Sequence, residues 1–105
     1  MSGKTFVEIF HAMPLNPFLD PLCPRERVAT MSVDEPENDD DLLNFIFRHT
    51  NHVDENWVSA ASSHGIRPEP GNHRSTSAGD FITLRPAEGP ARTYLVDRIG
   101  WLRLP

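Results

Sequence analysis

The chain has 105 residues, 38% of them hydrophobic, with ten prolines, six glycines and a formal net charge of −5 when its five histidines are neutral. That length suits one loop-rich domain, and the apolar content excludes a wholly disordered chain. No apolar run approaches the roughly 20 residues of a membrane-spanning helix, and the negative total disfavours nonspecific attraction to phosphate backbones.

The first residues, Met1 to Thr5, lead straight into an alternating segment without the apolar core of a signal peptide, so a cytoplasmic location is expected. Lys4 to His11 predicts a strand, with Phe6, Glu8 and Phe10 on one face and Val7 and Ile9 on the other. Pro14, Pro17, Pro21 and Pro24 then fall within eleven residues, a spacing that no helix or central strand tolerates. A surface loop anchored by Leu15, Phe18 and Leu22 is expected there. Cys23 is the only cysteine, which excludes an internal disulfide and a cysteine metal cluster; between Leu22 and Pro24 it reads as an inert thiol. Arg27 to Val33 predicts a second strand, with Val28, Thr30 and Ser32 opposed to Arg27, Ala29, Met31 and Val33.

Six of the eight residues from Asp34 to Asp41 are acidic. Leu42, Leu43, Ile46 and Phe47 follow as one stripe on a helical period. Asp39 or Asp40 is expected to cap this helix, Arg48 and His49 to sit at its negative end, and Asn51 to stop it in the left-handed region. Asp54 is placed to cap a further turn presenting Trp57 and Val58 to the core. Ser59 to His73 shows little periodicity and reads as a long loop. Phe81–Leu84, Thr93–Asp97 and Trp101–Leu104 complete the chain as three strands, the last two joined by a tight turn from Arg98 to Gly100. The expectation is one α+β domain over residues 1–105. It comprises an N-terminal strand or hairpin, a short amphipathic helix, a long loop and a C-terminal antiparallel meander.

Several residue groups are candidates for chemistry. Arg74, Ser75 and Ser77 precede a strand in Arg74-Ser-Thr-Ser-Ala-Gly-Asp80, where an arginine fork and two hydroxyls suit an anion or partner contact and equally suit a hydrogen-bonded turn. A serine nucleophile would need a Gly-x-Ser-x-Gly elbow, which is absent. His49, His52 and Asp54 lie close enough in sequence for a metal site if His64 or His73 supplied another ligand, although Asn51 should break the helix between the two histidines. The aspartates Asp39, Asp40 and Asp41 serve either as a solvated helix start or as a contact that copies phosphate charge spacing toward a basic cleft. Trp57, Tyr94 and Trp101, beside the arginines of the C-terminal sheet, offer stacking platforms for a nucleic acid.

Two stretches also carry a family likeness. Arg74-Ser-Thr-Ser-Ala-Gly-Asp-Phe-Ile82, continued by Tyr94-Leu-Val-Asp97 and Gly100-Trp101, resembles the YodL-like domain and related small proteins of bacteriophages, plasmids and actinobacteria. The acidic helix ending in Phe47-Arg-His-Thr-Asn-His-Val-Asp54 and Trp57 is similar to the same family's upstream segment. Ala78 and Phe81 stand where that pattern usually has Val. The resemblance spans residues 39–104 and implies a compact α+β module carried by mobile elements, without an established active site or cofactor. It favours a non-catalytic accessory protein that binds a host protein, ahead of a nucleic-acid or nucleotide binder using Arg74 and Trp101, and ahead of a metal-dependent enzyme built on His49, His52 and Asp54.

Overall fold

The computed structural model describes residues 4–13, 24–51, 57–71, 73–97 and 100–104. The expectations for Leu15, Phe18, Leu22, Cys23, His52, Asp54 and Arg98 therefore fall outside the described residues. Strands β1 (Lys4–Ala12), β2 (Arg25–Asp34), β3 (Arg67–Pro68), β4 (Phe81–Pro86), β5 (Arg92–Val96) and β6 (Trp101–Arg103) form one antiparallel sheet in the order β3-β2-β1-β4-β5-β6. Helices α1 (Asp39–Thr50) and α2 (Trp57–Ala60) complete a mixed α+β domain, as expected. Among the described residues, no helix is long and apolar enough to cross a membrane.

Strand alternation divides the sheet into two faces. Val7 and Ile9 of β1, Ala29 and Met31 of β2, and Ile82 and Leu84 of β4 share a buried core with Leu42, Leu43 and Ile46 of α1 and with Trp57. The opposite face carries Phe6 between Ser32 and Arg85, Glu8 between Thr30 and Thr83, and Phe10 between Arg27 and Phe81. Arg67 lies beyond Thr30 in the same row.

Simple alternation over Arg27 to Val33 does not hold. The pairing passes from Ile9–Ala29 directly to Phe10–Arg27, so Val28 is the extra residue of a β-bulge. Val28 joins the core, while Arg27 turns to the opposite face and reaches Glu8 with Nη1 at 3.1 Å.

Helix α1 forms where its apolar stripe requires, but its ends differ from expectation. Asn38, not Asp39 or Asp40, is the N-cap; its side-chain oxygen accepts the Asp41 N–H at 2.9 Å. Arg92 and Tyr94 hold the Asp39 carboxylate, which keeps it from that role. At the far end Asn51 has φ −126° and ψ 81°, outside the left-handed region. Its amide instead donates to the Thr76 carbonyl at 2.5 Å, a tertiary bond that ends the helix without a glycine-like turn.

Ser59 to His73 is likewise not one irregular loop. Helix α2 runs into a 3-10 turn at Ala61–His64, closed by Gly65 at φ 75°, where its N–H caps the turn. Ile66 then enters the core, and β3 pairs Pro68 with Ala29 and Arg67 with Thr30. Each piece is shorter than the window in which periodicity shows.

The seat of α1 rests on Ile46, which is fully buried, whereas its neighbour Phe45 is 38% exposed. Ile46→Ala should cost about 2–5 kcal/mol in urea unfolding. A loss no larger than that of Phe45→Ala would show that α1 is not packed as described.

Candidate functional site

The stretch from Arg74 to Asp80 closes around a buried carboxylate. Asp80 Oδ1 accepts the Ala12 N–H at 2.8 Å and Arg74 Nη2 at 2.6 Å. Oδ2 accepts Arg74 Nη1 at 2.7 Å and the Ser77 N–H at 2.8 Å. Burying a carboxylate costs several kcal/mol unless such partners replace water, and here four donors do so. The fork of Arg74 also reaches the carbonyls of Ser75 and Ala12. Arg74 and Ser77 therefore act within the domain: Ser77 Oγ donates to the Ser75 carbonyl at 3.2 Å. Gly79 adopts φ 99° and donates to the Val96 carbonyl, while the Val96 N–H returns to the Asp80 carbonyl. The turn thus fastens β1, β4 and β5 together.

The upstream stretch joins the same knot. Thr76 N–H donates to the Thr50 carbonyl at 2.8 Å, Asn51 binds the Thr76 carbonyl, and the Trp57 indole N–H donates to the Arg74 carbonyl at 2.7 Å. The two motifs, distant in sequence, are one hydrogen-bonded joint. Trp57 is fully buried within it, with its indole edge committed. His11 Nε2 shares a hydrogen bond with Thr76 Oγ1 at 2.9 Å beneath the joint. Burial pushes the His11 imidazole down to about 4, aided by Arg74 and His73, against the opposing pull of Asp80.

The acidic start of α1 is a second cluster. Arg92 grips Asp39 with Nε at 2.8 Å and Nη2 at 3.0 Å, and the Tyr94 hydroxyl donates to Asp39 Oδ2 at 2.5 Å. Burial would raise the Asp39 carboxyl, but Arg92 and Tyr94 outweigh it and hold the group below its ordinary range. Asp40 and Asp41 stay exposed on the first turn, where they favour the positive end of the helix. His49 stacks on His64 with ring centres 3.7 Å apart and beside Phe45 at 4.5 Å. Among the described residues no three His, Cys, Asp or Glu side chains gather to hold a metal.

Trp101 occupies a different place. Its ring meets Phe47 of α1 edge to face at 5.9 Å. Beside it lies a half-open groove of about 210 Å³ lined by Asn44, Phe47, Val96, Asp97, Gly100 and Trp101. Strand β6 is the end strand of the sheet. The Leu104 N–H bonds the Thr93 carbonyl and the Asp97 N–H the Gly100 carbonyl, and Leu95 faces Leu102. In this alternating ladder Leu102 turns its backbone groups toward β5, and Trp101 and Arg103 turn theirs outward. Those outward groups have no ladder partner among the described residues.

The sequence singles out Trp101 but not this open edge, because edge position depends on the strand order. A charge segregation between the two faces also depends on strand pairing. Among the described residues, Lys4, Arg25, Arg27, Arg67 and Arg85 stand on or beside the face turned away from α1 and α2, against Glu8, Asp34 and Glu69. Burial would raise the Glu8 carboxyl, but hydrogen bonds from Arg85 and Arg27 prevail and lower it. No family model matches the chain, and no curated protein or solved structure matches it either.

Two outcomes follow from the joint. Asp80→Asn leaves the Arg74 guanidinium poorly matched and should cost about 3–5 kcal/mol in chemical unfolding. A change under about 1 kcal/mol would show that the carboxylate is not the fastening point. For His11, the unfolded chain takes up the proton first, so the stabilisation is complete above pH 6.5 and is lost as pH falls toward about 4. Between about pH 7 and about pH 5 the loss should be about 2 kcal/mol and should vanish in His11→Gln. An equal pH slope in both proteins would contradict it.

Proposed function

We propose that this protein is a non-catalytic binding module that takes an extended segment of a partner protein along the open edge of β6. The observation that carries this reading is the outward-facing backbone of Trp101 and Arg103 beside the groove between β6 and α1. Strand addition uses such an edge for main-chain hydrogen bonds and an adjacent pocket for one side chain. Phe47, Val96 and Trp101 give the groove an apolar wall, and Asn44 and Asp97 supply polar groups at the same site. The segment that fits is an extended strand with one large apolar side chain directed into the groove. The likeness of Phe47–Trp57 and Arg74–Trp101 to the YodL-like domain supports an accessory role in a phage or mobile element. The partner is then a host protein, met in the host cytoplasm.

Proline at position 103 removes the outward N–H and leaves the bonds to β5 in place, because edge strands admit proline on that side. The test compares Arg103→Pro with Arg103→Ala against a host protein recovered by affinity capture. Arg103→Pro should weaken binding about tenfold or more, and Arg103→Ala should keep the main-chain bond and bind within about threefold of the parent. Failure to recover any partner, or equal binding by Arg103→Pro, would contradict strand addition at β6.

A further inference from the structure

The sheet face turned away from α1 and α2 plays no part in strand addition at β6. Ala12 and Leu95 are buried on it, whereas Phe6, on a central strand, is 40% exposed. Arg85 is its direct neighbour across β1 and β4. The Arg85 Nε bonds Glu8, which leaves both Nη groups without a partner among the described residues. Arg27 reaches Glu8 from the other side and Glu69 with Nε at 3.3 Å. Arg67 is exposed and makes no ion pair among the described residues.

Among the described residues, five Lys and Arg side chains belong to this face against three carboxylates, a local +2, whereas the chain as a whole carries −5. Acids gather instead at the start of α1, so the sign that a ligand meets depends on the face that it approaches. An exposed ring with an arginine fork on the next strand matches a ligand that has a flat π-face joined to an anionic group.

The geometry points to this face as a platform for single-stranded nucleic acid. A base stacks on Phe6 while Arg85, Arg27 and Arg67 meet the phosphates. A paired duplex hides its base faces, and an acidic peptide has carboxylates without a base to stack, so neither uses both halves of the platform. This site is independent of the β6 edge and needs neither Trp101 nor Arg74.

The test is fluorescence anisotropy with a labelled oligothymidylate of about 12 nucleotides, a length within the range of single-strand binding surfaces. Three phosphate contacts would make binding about eighteenfold weaker between about 50 and about 200 mM salt. Phe6→Ala should weaken it at least about fivefold, the smallest loss expected from removing a stacking ring. Arg67→Glu supplies a second variant at an exposed position on the short strand β3, and melting curves check that both variants remain folded. The proposal is overturned if the oligonucleotide does not bind at about 100 μM protein, a concentration that detects even weak nonspecific affinity. It is equally overturned if Phe6→Ala and Arg67→Glu bind like the parent, or if duplex DNA or polyglutamate competes as well as the single strand.

Discussion

The fold depends on where one carboxylate is buried. Asp80 has no solvent contact, and its two oxygens take donors from Ala12, Arg74 and Ser77. An ion in that position is tolerated only when the surrounding geometry is right, so the requirement runs outward from it. The end of β1 must present an N–H, the turn must place Ser77 above the other oxygen, and Arg74 must fold back across six positions. Once those are set, Thr76 meets Thr50 and His11, and the Arg74 carbonyl meets Trp57. The exit of α1, the start of α2 and the sheet are therefore fixed by one knot of polar bonds over an apolar core.

This explains what the amino-acid order reveals and what it conceals. The strand at β1, the stripe of α1 and the meander of β4, β5 and β6 are local patterns, and they stand where alternation and helical spacing put them. Asn38 is not legible as the cap, because Asp39 and Asp40 are equally good caps until Arg92, 53 positions away, takes Asp39. The β-bulge at Val28 turns on a pairing with β1, and β3 has only two residues, too short for a period. Arg74 suits a ligand contact as well as a turn for the same reason. Nothing local says that its fork closes on Asp80 and the Ala12 carbonyl.

The surfaces left by this arrangement have distinct characters. The helix side ends in a groove and an unpaired strand edge at β6, which suits main-chain recognition. The other side carries exposed aromatic and guanidinium groups, with acids concentrated at the start of α1. A single figure for net charge averages over both. Surface chemistry of this kind follows from pairing register, since a one-residue slip would exchange the two faces. The bulge at Val28 is one such local slip, and it sends Arg27 to the arginine-rich side.

The central role of Asp80 is most directly read from native-state hydrogen exchange at Ala12 and Ser77, whose amides end on its two oxygens. Ser77 lies in a turn, where amides ordinarily open by local fluctuation. If the buried carboxylate fastens the domain, both amides will exchange only through global unfolding, with the same free energy and urea slope as Ile82 in β4. Rapid exchange at Ser77 while Ile82 stays protected would show that the turn opens freely and that the fold does not depend on it.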